Sequence, residues 1–373
     1  MASRSDTDSN RKKLVVVVGA TGNQGGSVAR RFLRDPRYAV RALTRDTSSP
    51  AAQELAALGA EVVRADLDDV KSLETAFAGA NVIFSVTNYW EPFFRPDCRA
   101  KAQELGITCR RYAYDVEYRQ GKNIADAAAT VADSLDDNGF LVSTLSHATK
   151  CSNGKFKDLY HFDSKADVFP DYVAATHPKL AAKMSCIETG FFTTSYRILP
   201  DSYFKKVSHS LPCTHNPLDI TERRRPAENV PGQLPDGTFE MRFPCSPEKL
   251  VPHLDVNANT GNFVYAVHQM PPGKAYMAGE YLTWPDYAQT WARVTGQSIA
   301  YREISFDEMV AATPDHDCGV EVALMFSYSS DPGYDGGRDL LTAEDLRKAG
   351  IDCPMRTVEE SLAQQDWSAT LSQ

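Results

Sequence analysis

The stretch Leu14-Val15-Val16-Val17-Val18-Gly19-Ala20-Thr21-Gly22-Asn23-Gln24-Gly25 opens as a wholly apolar, β-branched run and passes directly into a glycine-rich turn. A short run of this kind reads as a central parallel strand, covered on both faces. Val28, Phe32 and Leu33 follow at helical spacing, so the glycines stand at a strand-to-helix junction. Glycine is needed there for a tight turn and for close approach of backbone to a pyrophosphate. The helix N-terminus adds free N–H groups and the positive end of its dipole. A glycine trio is weak evidence on its own. Its position in the first βα unit makes it the fingerprint of a dinucleotide site.

The rhythm continues outward from that unit. A second strand is expected over 38–44. Ser49 and Pro50 have the chemistry of N-cap and first helical residue, with Gly59 as the stop. A third strand is expected over 61–65, a helix from Asp68 and Asp69 to Gly79, and a fourth strand over 82–86. Residues 89–118, rich in aromatics, arginine and proline, fit no regular period. An alanine-rich helix is expected over 124–135, a fifth strand over 140–143, a polar loop over 151–157, a helix over 163–173 and a sixth strand over 185–188. Repeated βα units predict an α/β fold: a Rossmann-type doubly wound parallel sheet with helices on both faces.

Beyond Ser195 the alternation stops and prolines multiply: Pro200, Pro212, Pro217, Pro226, Pro231, Pro235, Pro244 and Pro247. Helices are expected there over 260–267 and 284–294. The chain is therefore divided into a flexible tail (1–12), a dinucleotide-binding domain (13–194) and a smaller mixed α/β domain (195–373) that covers the strand ends. Segments of the last two are free to interleave.

The 373 residues carry a net charge of -9, with 42% hydrophobic and 24% charged residues. So acidic a chain has no reason to seek a phosphate backbone, and nucleic acid is not an expected partner. The runs Arg11-Lys12-Lys13 and Arg223-Arg224-Arg225 read as solvated loop or tail. Eight cysteines form no C-x-x-C pair and eight histidines no H-E-x-x-H, so no metal is expected and the thiols are read as reduced. The first ten residues are polar and lack the apolar core of a signal peptide. The longest apolar run, 14–18, falls far short of the roughly 20 residues of a membrane span. These features together predict a cytoplasmic protein with no membrane partner.

Candidate site residues lie at strand ends. Arg45 follows the second strand, twenty residues after Gly25. An acid there would hold a ribose 2′-hydroxyl, whereas arginine pairs with a 2′-phosphate, which favours NADP(H). Asp66 and Leu67 either flank the adenine or merely start the next helix. Thr87, Asn88, Tyr89 and Trp90 follow the fourth strand and belong near the nicotinamide ribose, or else form an aromatic packing loop. Ser143, Thr144 and Ser146 end the fifth strand, as holders of a substrate carbonyl or as turn formers. Lys165 stands four residues after His161, a spacing that puts both on one helix face if the helix expected from 163 already includes His161. The lysine is a candidate to hold the nicotinamide ribose.

Four of these stretches, Gly19 to Gly26, Val86-Thr87-Asn88-Tyr89-Trp90-Glu91, Gln120-Gly121-Lys122-Asn123-Ile124-Ala125-Asp126 and His161-Phe162-Asp163-Ser164-Lys165, together resemble the NmrA-like family. These are atypical short-chain dehydrogenase/reductases, and the resemblance covers roughly residues 12 to 310. It implies NADP(H) in a cleft between a Rossmann domain and a small α/β domain. Contacts implied are Gly19, Thr21, Gly22, Asn23, Gln24, Gly25, Arg45, Asp66, Thr87, Asn88, Tyr89 and Lys165. The segment Phe191, Phe192, Thr193 and Thr194 resembles the one beside the nicotinamide. Classical members of the superfamily place a proton-donating tyrosine four residues before the lysine. Here that residue is His161, with Tyr160 one step off.

Two readings follow. In the first, the protein is an NADPH-dependent oxidoreductase that reduces a small, largely apolar carbonyl, imine or activated alkene, as in secondary metabolism. Tyr89, Trp90, Phe93 and Phe94 line the ligand pocket, and His161 is the first candidate proton donor, with Tyr160 and Tyr89 in reserve. In the second, the missing tyrosine marks a non-catalytic NADP(H)-responsive regulator that binds a protein partner.

Overall fold

A computed structural model of the protein describes residues 11–207, 234–235 and 237–372. The tail before residue 11, the Arg223 to Arg225 run and Pro212, Pro217, Pro226 and Pro231 lie outside the described residues.

Strands β1 (Lys13–Val17), β2 (Tyr38–Thr44), β3 (Glu61–Arg64), β4 (Val82–Ser85), β5 (Phe140–Thr144), β6 (Met184–Thr189) and β7 (Ala275–Ala278) form one seven-stranded sheet. Its order is β3-β2-β1-β4-β5-β6-β7 and every pairing is parallel. Strand β1 lies at the centre because Val15, Val16 and Val17 are fully buried, covered from both faces. The chain reverses direction across the sheet between β1 and β4, and that crevice at the carboxyl ends is where open α/β sheets bind ligands.

Helices α1 (Asn23–Leu33), α2 (Pro50–Ala57) and α3 (Val70–Phe77) link the first four strands. Ser49 caps α2 by accepting from the Ala52 N–H, and Asp69 caps α3 by accepting from those of Lys71 and Ser72. The segment without a regular period becomes α4 (Trp90–Phe94), α5 (Pro96–Glu104) and the first half of α6 (Cys109–Ala129). The helix expected over 124–135 thus starts fifteen residues earlier and ends earlier. The inward face of α6 carries Arg110 and Glu117 beside Ala113, Val116 and Gly121. Two buried charges break the apolar period that would reveal the helix.

The helix expected over 163–173 is also different. Helix α7 spans Tyr160–Ala166, and the chain kinks at Phe169, whose backbone is extended (φ -121°, ψ 95°) ahead of Pro170. Proline disfavours helical geometry in the residue before it.

The stretch after 195, expected as a cover, also completes the main sheet with β7. Its helix α8 (Val256–Val267), four residues longer at its start than expected, lies against α1. The two backbones approach so closely at Gly261 that a Cβ there would stand 2.2 Å from the Ser27 carbonyl oxygen. Among the described residues, the remaining layer includes helices α9 (Trp284–Thr295) and α10 (His316–Tyr328) and two three-stranded sheets. Its centre is aromatic: Phe243 stacks on Phe326 with ring centroids 4.1 Å apart, and Trp284 and Phe191 pack against them. Among the described residues, no helix is long and apolar enough to cross a membrane.

Candidate functional site

The turn between β1 and α1 is closed by the Gly22 N–H donating to the Gly19 carbonyl at 2.9 Å. Gly19 has φ +63°, in the left-handed region that glycine enters without strain. A Cβ on Gly25 would lie 2.3 Å from the Gly19 oxygen, so this position admits glycine alone. Helix α1 starts at Gly22 with no side-chain cap and no acid in its first turn. Its N-terminus is open to an anion, with Thr21, Gly22 and Asn23 exposed and Gln24 partly covered.

Arg45 lies at the mouth of the crevice, 61% exposed, and pairs with Glu91 of α4 at 2.9 Å. Asp66 is exposed, and its carboxylate accepts the Asp68 N–H at 3.0 Å, which serves the turn into α3. The Leu67 carbonyl accepts from Asn123 of α6 at 2.7 Å.

The residues after β4 divide. Asn88 is exposed and accepts the Trp90 N–H, whereas Thr87 is buried and donates to Glu117 at 2.7 Å. Tyr89 lies fully buried, and its hydroxyl donates to the Arg110 carbonyl at 3.0 Å. Burial, reinforced by the charge of Glu321, pushes that phenol well above its ordinary range. Trp90 stands half-buried with its ring 5.2 Å from that of His161. Tyr160 is half-buried and donates to Asp158 at 3.2 Å.

Two buried acids, neither singled out in the sequence, fix helix α7. Glu117 accepts from Thr87, from Ser164 and from Lys165, whose ammonium stands 2.6 Å away. Lys165 also donates to the His161 carbonyl at 3.2 Å, and its side chain is 12% exposed. Glu321 of α10 accepts from the His161 backbone N–H at 2.8 Å and faces its Nδ1 at 2.6 Å. Its second oxygen accepts from Arg110 at 2.8 Å. Burial raises the Glu321 carboxyl, but His161 and the Arg110 charge outweigh it and leave the group below its ordinary value. The imidazole is thus held through Nδ1. Among the described residues its Nε2 has no hydrogen-bond partner. The arrangement orients a ring nitrogen for proton transfer, with an ionised carboxylate behind it. Arg110 and Glu117 stand two helical turns apart, which is the one sequence signal that shared a face.

Other expected residues are engaged elsewhere. Thr144 donates to the Phe169 carbonyl at 2.9 Å, and Ser146 bonds Tyr328 and the Tyr334 carbonyl; Ser143 is buried. Phe191 is buried against Trp284 and Phe326, and Thr193 shares a hydrogen bond with Ser361 at 2.8 Å. Phe192 and Thr194 are half-buried. Beyond β5, the described residues bring His147, Asp167 and Asp171 within 4.8 Å of one another. No spacing in the sequence foretold that group. Lys150 reaches Asp171, and His147 lies 3.0 Å from Asp163 and 3.1 Å from Asp167.

Residues 11–218 match the NmrA-like family. An NmrA-like family domain-containing oxidoreductase of Aspergillus japonicus, himF, is 40% identical over 309 residues, or 79% of this chain and 76% of the relative. Four other relatives, all named NmrA-like oxidoreductases, are spanned over only 28% to 41% of their length. Among solved structures, the complex of NmrA, a negative transcriptional regulator, with NADP superposes with a TM-score of 0.61, at 19% identity and 95% coverage of both chains. The Citrobacter sp. triphenylmethane reductase complexed with NADP(H) gives 0.59, at 16% identity over 94% of this chain and 99% of that one. Family match, relatives and fold agree: this chain belongs to the NmrA-like family.

Proposed function

We propose that the protein is an NADP(H)-dependent oxidoreductase that reduces a small, largely apolar carbonyl, imine or activated alkene. The observation that carries this reading is the pair of buried acids that set Lys165 and His161 on one face of α7, next to Trp90. The relative from Aspergillus japonicus is named an oxidoreductase, and the NmrA and triphenylmethane reductase structures are complexes with NADP or NADP(H). The turn from Gly19 to Gly25 fits a pyrophosphate, since Gly25 leaves no room for a side chain and α1 presents an uncapped N-terminus. Arg45 would hold the 2′-phosphate, Asp66 and Leu67 the adenine side, Asn88 and Lys165 the nicotinamide ribose, and Phe192 and Thr194 the outer wall. When bound, the dinucleotide supplies hydride to a substrate carbon. His161 would give a proton from Nε2 to the substrate heteroatom, while Glu321 holds the ring by Nδ1. Tyr89 is a poor donor, because its hydroxyl is buried and bonded to Arg110. Tyr160 is kept in reserve.

The test is NADPH consumption against a panel of carbonyls, imines and enones. His161→Phe should lose about 10²–10⁴-fold in kcat and keep its affinity for NADPH. Full activity in that variant moves the donor to Tyr160. The regulator reading rests on the histidine in place of tyrosine at 161. Its positive test is a protein partner bound differently with NADP⁺ and NADPH.

A further inference from the structure

A second concave site lies away from the crevice, between the far half of α1, the start of α8 and the segment 354–356. It is a half-open cleft with a cavity volume of about 350 Å³. Ser27, Arg30, Arg31 and Arg34 line it from α1, Asn257 and Asn262 from α8, and Arg356 from the third side. Four arginines line it, on a chain whose net charge is -9. Such a density of like charge opposes folding unless acids or a ligand offset it.

The acids present offset half of it. Arg356 pairs with Asp255 at 2.9 Å, and Arg30 stands 3.6 Å from Glu54. Among the described residues Arg31 and Arg34 have no acidic partner. Arg31 is nonetheless held in place, with its guanidinium 3.6 Å above the Tyr265 ring. A stacked guanidinium keeps its edge donors free and fixes their plane, which suits bidentate binding of a phosphate. The walls are fixed too. Asn259 is buried and grips the Arg356 backbone from both ends, accepting its N–H at 2.7 Å and donating to its carbonyl at 2.8 Å. Ser27 accepts the Gly261 N–H at 2.9 Å and closes the floor.

We infer that this cavity binds a phosphorylated small molecule, with a phosphate gripped by Arg31 and Arg34 and its remainder within the cavity. The volume is that of a small-ligand site. The site is separate from the dinucleotide crevice: Arg31 comes eight residues after Asn23, about 12 Å further along α1. The inference therefore does not depend on the reading of the crevice.

The test is calorimetric titration of inorganic pyrophosphate into protein already saturated with NADPH, so that the α1 N-terminus is filled. One equivalent should bind, more weakly as salt is raised. The double variant Arg31→Gln/Arg34→Gln should weaken binding at least tenfold, with far-UV circular dichroism and NADPH affinity unchanged. Arg197→Gln, an exposed arginine outside the cavity, should bind as the wild type does. No binding to the NADPH-saturated protein overturns the inference. Equal affinity in the double variant and the wild type also overturns it. If the double variant loses its circular dichroism, Arg34→Gln alone decides, because that side chain is exposed and its loss leaves no buried gap.

Discussion

Glu117 on α6 and Lys165 on α7 form a buried ion pair at 2.6 Å, and the same carboxylate also takes hydrogen bonds from Thr87 and Ser164. One acid thus ties the end of β4 to the helix that carries both candidate catalytic groups. A buried pair is costly to break from one side, because the remaining charge is left without a partner. Glu117→Ala should destabilise the fold by about 3–5 kcal/mol in urea denaturation. Glu117→Gln keeps the shape and should fold, with weaker NADPH binding because Lys165 is no longer positioned. A Glu117→Gln protein that binds NADPH as the wild type does would remove the link between this acid and the cofactor.

Arg45 and Glu91 make a different kind of pair, exposed and at 2.9 Å. Such a pair contributes little to stability. In the proposed site its effect is on charge at the crevice mouth, where Glu91 would oppose the same 2′-phosphate that Arg45 would attract. Arg45→Ala should lower NADPH affinity about 10- to 150-fold and leave NADH affinity nearly unchanged. Glu91→Gln should tighten NADPH binding. Equal affinities for NADPH and NADH in the wild type would end the claim of preference.

How far the sequence reaches is clear from particular residues. Val15 to Val17, Ser49, Asp69 and the glycines between 19 and 25 act locally, through burial, caps and turns, and their neighbours announce them. The parallel, doubly wound character of the sheet followed from the βα rhythm, whereas its strand order came only from the structure. Glu321 could not be found that way, because its partner His161 lies 160 positions off, and the two meet only once α10 docks on α7. Arg110 and Glu117 were hidden by their own charge, since a helix with ionic residues on its inner face does not look amphipathic. Strand β7 was missed because only its pairing with β6 distinguishes it from the irregular chain around it.

Gly25 offers a steric test of the turn. The Cβ of an alanine would meet the Gly19 oxygen at 2.3 Å, the Gly19 carbonyl carbon at 2.6 Å and the Val18 oxygen at 2.8 Å. All three are backbone atoms and none can swing aside. Gly25→Ala should push α1 away from β1, lower the melting temperature by several degrees and abolish cofactor binding. Gly59→Ala meets no neighbour but strains a left-handed residue, so it should cost stability alone, by about 1 kcal/mol.

His147 supplies a pH dependence. Burial alone would lower its pKa, but the carboxylates of Asp163 and Asp167 outweigh burial and raise it to about 9. The folded state then holds the proton more tightly than the unfolded state does. The stability this contributes is complete below the ordinary value of 6.5 and is lost as pH rises through about 9. His147→Gln should flatten the decline in urea midpoint across that window. An equally steep decline in the variant would assign it to other groups.

Substitution of Glu321 separates holding a proton donor from merely packing beside it. Glu321 touches neither cofactor nor substrate in the proposed scheme. It acts through His161, whose Nδ1 stands 2.6 Å from it, and it stays ionised because His161 and Arg110 oppose the effect of burial. Glu321→Gln preserves volume and leaves a hydrogen bond possible to the backbone N–H of His161. It removes the negative charge that steadies a ring giving up and regaining a proton at Nε2. A positioning role predicts a fall in kcat on the order of 10²–10⁴-fold, with KM and NADPH affinity close to wild type. A merely structural role predicts losses in KM and cofactor affinity that match any loss in kcat; a lower urea midpoint is expected in either case, because buried Arg110 loses its carboxylate partner. The two substitutions Glu321→Gln and His161→Phe should also fail to add. Once the imidazole is gone, the carboxylate has nothing left to orient, so the double variant should be little slower than His161→Phe alone. Full additivity would show that the two residues act independently and would withdraw His161 as the proton donor held by Glu321.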